Sequence, residues 1–298
     1  MNKEKMNKYI IAIVLAIFVI VSVVVLLSNT NRIENVSLEK YEPFTAGNLL
    51  ENYSCVNKIV DNLPKVEGAS AFYPLSANIV QALFAKANYT DDTLSMVSTS
   101  KAYEDLASGT ADIIIATLPS KEQSEIFKNN NIEIEYVFLY KEPLVMYVNK
   151  KNKTNNINID EIIKAYTTNT KYNTYNLEKG NGSQNCFESL VKENTIDNKH
   201  KVVTTMEDII DSVGKDRNGL GYAFATYYNK MHINKNTKAI NVENISPDNY
   251  DYPLQFEVYL MYRKDNTNEN INHIVDYLKS EEGRELLNTV RISNTQAK

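Results

Sequence analysis

Small hydroxyl residues and glycines stand just before apolar-periodic helices at three places in the chain, and this arrangement can bind an anion. The most informative run is Gly180-Asn181-Gly182-Ser183, which opens directly into a helical pattern. Gly68-Ala69-Ser70-Ala71 and Ser98-Thr99-Ser100 are two similar loops upstream. Glycines let backbone N–H groups turn toward one point, and the free N–H groups at a helix start add partial positive charge there. If the three loops converge, they form a site for a small oxyanion.

The elements that must position these loops follow from the spacing of the apolar residues. Helical and strand patterns alternate after residue 60, so we expect an α/β fold with mostly parallel sheets. Six helices are predicted. One starts at Pro74, one ends before Gly109, one covers 160–166, one starts at Ser183, one follows a capping box at 204–207, and one long helix follows residue 270. Strands are predicted over 111–116, 132–140, 144–148, 219–224 and 254–263, with Pro143 separating the second from the third.

Composition and charge exclude several classes of protein. The chain has 298 residues, of which 43% are hydrophobic and 23% charged, as in ordinary globular proteins. Its net charge is −5 and no basic block lies outside the N-terminus, which argues against nucleic acid as a partner. The three histidines have no metal-binding spacing, so neither a metal site nor a cofactor is predicted. Cys55 and Cys186 are the only cysteines, and the sequence leaves open whether they pair.

An uncharged apolar segment over residues 9–27 predicts an N-terminal transmembrane helix. Lys3, Lys5 and Lys8 precede it, so we expect a cytoplasmic N-terminus and an extracytoplasmic binding domain at the cell membrane. A cleaved signal peptide is the alternative, but no small-x-small cleavage site follows the segment. Residues 1–30 are therefore interpreted as a cytoplasmic stub and anchor, and residues 31–60 as a polar tether.

The remaining sequence resembles the solute-binding proteins of ABC importers, in the type II periplasmic-binding-protein fold and nearest the phosphate-binding subunits. The resemblance rests on an ordered set of motifs that runs from about residue 63 to the C-terminus. Among them are Gly182-Ser183-Gln184 with Phe187 and Glu188, similar to the family's "SGSQxxFE" loop, and Gly219-Leu220-Gly221-Tyr222, similar to "IGYSF". Further matches lie at 67–75, 98–113, 148–152 and 280–284.

The resemblance implies a two-lobed protein that closes around phosphate or a similar oxyanion and delivers it to an ABC transporter permease. Lobe 1 would comprise residues 61–143 and 254–298, and lobe 2 would comprise residues 144–253. The implied ligand-binding residues are Ser70, Ala71, Thr99, Ser100, Asp112, Asn181, Gly182 and Ser183. Hydroxyl and backbone N–H groups would donate to the anion, and the Asp112 carboxylate would accept the proton of a partly protonated phosphate.

The chain departs from this family at the position of the phosphate-contacting arginine, which Leu177 occupies. Lys179 lies nearby, but a flexible ammonium does not replace a bidentate guanidinium. An anchored sensor or interaction module of the same fold, without a transport function, is therefore the alternative. A third interpretation is an acyl enzyme, because residues 98–101 and 189–192 both fit S-x-x-K. No S-D-N or K-T-G partner element accompanies them, so we do not expect an enzyme.

Overall fold

The structure is a computed structural model that describes residues 13–17, 19–20, 33–168, 171–191 and 201–295. It has an α/β architecture in which one large mixed sheet extends through two lobes. The strands are β1 (Ile33–Asn35), β2 (Val66–Gly68), β3 (Leu94–Met96), β4 (Ile113–Thr117), β5 (Ile134–Asn149), β6 (Asn156–Ile157), β7 (Asn173–Leu177), β8 (Lys201–Val203), β9 (Gly219–Phe224), β10 (His232–Asn234), β11 (Thr237–Ala239), β12 (Asn241–Val242) and β13 (Gln255–Arg263).

The α-helices follow the strands in the alternation that the sequence predicts. They are α1 (Tyr73–Leu83), α2 (Thr99–Ser108), α3 (Lys121–Asn129), α4 (Ile159–Thr167), α5 (Gly182–Val191), α6 (Met206–Lys215), α7 (Asn270–Lys279) and α8 (Glu281–Thr295). Two predictions need adjustment. The capping box of α6 is formed by Thr205 and Asp208, one residue later than expected. The predicted long C-terminal helix is divided in two at Ser280.

The strand order of the large sheet is β3-β2-β4-β13-β5-β9-β7-β8, with β11 also pairing with β5. Lobe 1 contains β2, β3, β4, β13 and the first part of β5. Lobe 2 contains the second part of β5 with β7, β8, β9 and β11. The outer strands of each lobe are parallel, whereas the strands that join the lobes at the centre are antiparallel. The carboxyl ends of β2, β3 and β7 lead into the loops that the sequence singles out.

Strand β5 belongs to both lobes and changes its partner at a proline. Its residues up to Pro143 pair with β13, and its residues from Leu144 pair with β9. We expected two strands separated at Pro143, because proline cannot donate a hydrogen bond to a ladder. The proline is tolerated because it stands at the end of the β13 pairing, so the chain continues extended through it. The same position divides the two lobes in the sequence interpretation.

A buried carboxyl group lies beside this change of partner. Glu142 has no exposed surface, and its Oε1 accepts hydrogen bonds from the backbone N–H of Thr226 at 2.7 Å and its hydroxyl at 2.8 Å. Burial raises the pKa of Glu142 from 4.5 to about 7, and the hydrogen bonds from Thr226 and Tyr140 oppose this rise. Because Thr226 follows β9, Glu142 connects the crossing strand to lobe 2.

Residues 33–60, which the sequence predicts as a polar tether, are instead packed against both lobes. Strand β1 pairs with β10 beside lobe 2. A few residues later, the carboxylate of Glu42 accepts hydrogen bonds from the hydroxyls of Tyr73 and Tyr89 in lobe 1, each at 2.6 Å. Tyr41 and Ile59 are buried in the hydrophobic core. The physical reason is that this polar segment carries aromatic and aliphatic residues at positions where they can be buried.

Most of the predicted transmembrane segment lies outside the described residues. Of residues 9–27, the structure describes 13–17 and 19–20, which are helical and exposed. Within the described part of the chain, no helix has both the length and the hydrophobicity that a membrane crossing requires.

Candidate functional site

The hydroxyls at the start of α2 are oriented by the helix cap. The Ser98 side chain accepts the backbone N–H of Lys101 at 3.2 Å, so Ser98 is the N-cap. Thr99 and Ser100 are therefore not needed as caps, and their side chains reach toward lobe 2. Thr99 is buried and Ser100 is half-buried.

The loop between β7 and α5 presents the second group of predicted residues. Gly180 adopts a φ of +85°, a left-handed conformation that favours glycine. Asn181 Oδ1 then accepts the backbone N–H of Ser183 at 3.0 Å and its hydroxyl at 2.9 Å. These bonds fix the first turn of α5, in which Gly182 and Ser183 are buried.

The two loops meet directly across the lobes. The backbone N–H of Gly182 donates to Thr99 Oγ1 at 3.1 Å, and the Ser100 hydroxyl donates to the carbonyl oxygen of Gly180 at 3.3 Å. A Cβ added to Gly182 would lie 3.2 Å from Thr99 Oγ1, so glycine permits this close approach. The structure thus brings Thr99, Ser100, Asn181, Gly182 and Ser183 together, with their donors bonded to one another or to backbone.

Gln123 joins the same network, and the sequence analysis did not identify it. Its buried side chain donates from Nε2 to the Gly180 carbonyl at 3.0 Å and to Ser100 Oγ at 3.3 Å. Its Oε1 accepts from the backbone N–H of Ser120 and from Asn185 Nδ2, each at 2.9 Å. The capping box formed by Ser120 and Gln123 is readable in the sequence as S-x-x-Q. The contact of Gln123 with lobe 2 cannot be predicted from the local sequence.

A cavity of about 650 Å³ opens beside this network, between α3, α5 and the central strands. Lys121 and Lys141 line it together with Glu122, Glu188 and Glu257, so its charges are mixed. The other lining residues are Thr117, Leu118, Pro119, Ser120, Asn185, Cys186, Ser189, Gln255 and Phe256.

Two groups on α5 determine the chemistry of the cavity wall. Asn185 Oδ1 is buried and accepts no hydrogen bond from the described part of the protein, although its Nδ2 is bonded to Gln123. An unpaired buried acceptor is costly, so this oxygen suits a donor on a bound molecule. Burial raises the pKa of Cys186 to about 12, which keeps its thiol neutral. Cys55 and Cys186 are both free thiols.

Ser70 and Ala71 lie in a different part of the interlobe region. They form a short 3₁₀ turn at the carboxyl end of β2, and the following Phe72 packs on Phe224 of lobe 2 with ring centroids 5.1 Å apart. The turn lies against residues 227–231. Among the described hydrogen bonds, none joins Ser70 or Ala71 to the loops at Thr99 and Gly182. The first loop therefore faces lobe 2 but stands apart from the other two.

The position of Asp112 does not fit its predicted role, and this is a correction. Asp112 immediately precedes β4, whereas the network lies at the opposite end of that strand, beyond Thr117. The carboxylate accepts the backbone N–H of Lys65 and the side-chain N–H of Asn266, each at 2.8 Å. At about 3.3 Å of rise per strand residue, it is roughly 16 Å from Thr117. Asp112 thus anchors a loop at the far edge of the sheet.

Leu177, at the position of the family's arginine, is buried in the hydrophobic core. Its backbone N–H donates to Gln184 Oε1 at 3.0 Å, and Lys179 beyond it is exposed. Within the described residues, no arginine or lysine side chain takes part in the network of Thr99, Ser100, Gln123 and Gly182. This network is therefore built from neutral donors and acceptors.

A separate cluster of titratable groups, unexpected from the sequence, holds β1 on lobe 2. Glu207, Asp211 and His232 each present a potential metal-ligating atom within 4.8 Å of the others. His232 Nε2 lies 2.8 Å from Asp211 Oδ1, and its Nδ1 bonds to Asn35 Oδ1 on β1. Both ring nitrogens are thus used in hydrogen bonds, and the cluster is explained by attachment of the N-terminal segment.

Comparison with known proteins places this geometry in a broad family. Residues 60–282 match the model of the PBP superfamily domain. No curated protein matches the sequence at a significant level. A Clostridium perfringens structure, assigned as a phosphate ABC transporter substrate-binding protein and solved with bound phosphate, is similar in fold. Its TM-score is 0.59 at 17% identity, over 78% of this chain and 97% of that chain.

Two further structures share the fold. An ABC-type phosphate transport receptor from Vibrio cholerae has a TM-score of 0.55 at 18% identity, over 76% of this chain and 97% of that one. The CcmR regulatory domain of Synechocystis, in complex with 2-PG, has a TM-score of 0.51 at 13% identity, over 73% and 98%. The family match covers well over half of the chain and agrees with the two-lobed α/β architecture, so this chain belongs to the PBP superfamily.

Proposed function

We propose that this chain is a solute-binding protein that takes a small oxyanion, most closely phosphate, between its two lobes. The observation that carries the proposal is the meeting of hydroxyl and backbone N–H donors from both lobes at Thr99, Ser100 and Gly182. Donors from both lobes are what a ligand-driven closure requires, because the ligand must contact each lobe. The fold shared with phosphate-binding proteins supports this proposal.

In this proposal the anion replaces the hydrogen bonds that the two loops make to each other. The Gly182 N–H would turn from Thr99 Oγ1 to an anion oxygen, and the hydroxyls of Thr99 and Ser100 would donate to the same ligand. The start of α5 supplies partial positive charge at this point. Exchanging one hydrogen bond for another of similar strength costs little, so affinity would depend on the charge of the ligand.

We propose that Asn185, rather than Asp112, accepts a hydrogen bond from the protonated oxygen of the ligand. Its Oδ1 lacks a donor among the described residues and lies on the cavity wall. A monohydrogen or dihydrogen phosphate has a P–OH group that can donate to this oxygen. An amide also carries no negative charge, so it would not repel a fully ionised anion as a carboxylate would.

The proposal also covers the location of the protein in the cell and its partner. We propose that the apolar segment over residues 9–27 anchors the chain in the cell membrane, with the N-terminus cytoplasmic and the binding domain extracytoplasmic. The lysines before this segment and the lack of charge within it support this orientation. An ABC importer permease is the proposed partner, on the basis of the fold.

Thermal unfolding of the full chain with phosphate, sulfate and other oxyanions tests the function. Ligand at about a hundred times its dissociation constant should add roughly 2.7 kcal/mol to the free energy of unfolding. Ser183→Ala and Asn185→Leu should reduce the shift that phosphate produces. Asp112→Asn is the matched control, and it should leave the shift unchanged because Asp112 lies at the far end of β4. If Asp112→Asn abolished the shift and Asn185→Leu did not, the site would have to be reassigned.

An anchored sensor or interaction module is the second candidate, and one observation favours it. The loops that would hold the anion already satisfy each other, and Leu177 is buried where the family has an arginine. A protein with these features could retain the fold after losing the ligand. The absence of a thermal shift with any oxyanion, in a chain that unfolds cooperatively, would favour this candidate over solute capture.

A further inference from the structure

A second pocket lies outside the region between the lobes, and its side chains are strongly cationic. This pocket has a volume of about 240 Å³ and is formed by β5, the loop before β13 and helix α8. Lys141, Arg284 and Arg291 line it, and no carboxylate is among its lining residues. The chain contains only five arginines, so two of them converge on this one small pocket.

The pocket follows from the spacing of residues on α8. Arg284, Leu287 and Arg291 are three and four residues apart, which places them on one face of the helix. Leu287 is buried against the core and fixes the orientation of that face. The two arginines therefore lie two turns apart on the same side of the helix, beside Lys141 on β5.

None of the three cations forms an ion pair within the described part of the chain. The described ion pairs involve Lys101, His232, Arg263 and Lys264, and none involves Lys141, Arg284 or Arg291. Like charges held close together repel each other, so they raise the local positive potential. Such a group is stabilised when a polyvalent anion binds.

Two exposed aromatic rings frame the same pocket. The guanidinium carbon of Arg291 lies 4.6 Å from the ring centroid of Tyr250, which orients this side chain. Tyr250 is 71% exposed and Phe138, on the other side, is 52% exposed. The rings partly shield the cations from water, which strengthens their interaction with an anion.

Arg291 interacts electrostatically with the carboxyl group of Glu142, which is buried and hydrogen-bonded to Thr226. It is not part of the pocket lining. The residues that line the pocket therefore carry a net positive charge.

We propose that this pocket is a second anion site, which binds a small oxyanion carrying two or more negative charges, such as a phosphate ester or a polyphosphate. The forked guanidinium groups suit phosphate oxygens because each can donate two parallel hydrogen bonds. The anion comes either from solution or from the headgroup of an anionic lipid. Apart from Lys141, which also lines the interlobe cavity, the lining of this site is separate from that of the proposed ligand site at Thr99 and Gly182.

Calorimetric titration of the full chain with pyrophosphate tests the proposal. Arg284→Gln/Arg291→Gln should weaken the affinity at least about tenfold, because it removes two charge-assisted interactions. Arg217→Gln/Lys235→Gln removes the same charge from exposed positions elsewhere and should leave the affinity unchanged. Ser183→Ala should also leave it unchanged, which separates this site from the one between the lobes. Arg284→Lys/Arg291→Lys should retain part of the binding.

A parallel measurement identifies the source of the anion. Sedimentation with phosphatidylcholine vesicles, with and without phosphatidic acid, whose headgroup is a phosphate monoester, gives the increment that is due to anionic headgroups. If Arg284→Gln/Arg291→Gln loses this increment but still binds pyrophosphate, the site is assigned to lipid. If it loses pyrophosphate binding but keeps the increment, the site is assigned to a soluble anion. The proposal is overturned if the wild-type chain binds neither probe, or if the pocket variant and the matched control bind both probes equally. The oxyanion panel applied to the Ser183→Ala protein reports on the interlobe function separately.

Discussion

The two candidate anion sites differ in the groups that they offer to an anion: one offers neutral hydrogen-bond donors and the other offers charged side chains. Between the lobes, the Gly182 N–H and the Ser100 hydroxyl are neutral donors that are already bonded across the contact, to Thr99 Oγ1 and to the Gly180 carbonyl oxygen. At the second pocket, Arg284 and Arg291 offer formal charges that have no ion pair among the described residues. Neutral donors that satisfy one another stabilise the folded protein, whereas unpaired cations contribute affinity for a ligand at some cost in repulsion. The stability and the charge-dependent binding of this protein should therefore reside in different places.

Glu142 lies between the two regions, and its titration should have the largest effect. Its pKa is about 7 in the folded protein, against 4.5 ordinarily, because burial disfavours the charged form. The folded state thus holds the proton more tightly, so this contribution to stability is fully present below pH 4.5 and is lost as the pH rises through about 7. The loss amounts to about 3 kcal/mol.

Urea unfolding at several pH values checks this prediction with Glu142→Gln, which retains an acceptor for Thr226. Glu67 also has a pKa near 7, because of burial and the neighbouring Asp105, so part of the pH dependence should remain in the variant. The variant should gain stability relative to wild type between pH 5 and pH 8. Parallel curves for the two proteins would mean that Glu142 does not titrate in this range.

Thr99→Val tests whether the contact between the lobes stabilises the fold. Valine has a similar shape but cannot accept the Gly182 N–H, which is left buried without its partner. We expect a loss of about 1–3 kcal/mol in the free energy of unfolding. Thr45→Val, at an exposed position in the N-terminal segment, is the control and should change stability by less than about 0.5 kcal/mol. Equal effects of the two substitutions would show that the contact is dispensable.

Salt should separate the two sites by their charge. Raising the ionic strength from about 0.1 M to 1 M shortens the screening length from about 10 Å to 3 Å, which weakens interactions of exposed charges. Pyrophosphate binding at Arg284 and Arg291 should fall by about tenfold, and phosphate binding between the lobes should fall less. Calorimetry at the two ionic strengths measures both. If the affinity for phosphate fell more steeply than that for pyrophosphate, the interlobe site would be the one that depends on charged side chains.

The smallest effect should be that of Arg284→Gln/Arg291→Gln on stability. Since neither arginine forms an ion pair with a described residue, the variant should unfold within about 0.5 kcal/mol of wild type, or become slightly more stable as repulsion is relieved. Chemical denaturation at low salt is the appropriate measurement. A loss of several kcal/mol would indicate that the arginines are structural.

The fold was predictable from the sequence to a greater extent than the site. Periodicity located most of the longer helices and strands because burial sets the spacing of apolar residues, and α2 ends at Gly109 as its glycine predicts. It did not predict α3 or β7. The continuous strand through Pro143 was missed, because its tolerance depends on where the β13 partner ends. Local sequence does not contain that information.

Within the candidate site, the residues found by sequence are those at helix starts. The hydroxyl and glycine pattern identified Thr99, Ser100 and Gly182, which the structure brings together. Asp112 was misplaced because its role was carried over from the family resemblance, although it stands at the amino end of β4, opposite to the end where the loops meet. Gln123 and Asn185 were overlooked because their roles come from contacts between elements that are distant in the chain.

The path of the N-terminal segment has a mechanical consequence. Asn35 is paired with β10 beside lobe 2, while Glu42 is held by Tyr73 and Tyr89 in lobe 1, so seven peptide bonds span the two attachments. At full extension these cover at most about 25 Å. Any separation of the lobes is thus limited by the length of this connection unless one attachment breaks. Force applied at residue 33 therefore reaches lobe 2, through the pairing of β1 with β10, before it reaches lobe 1.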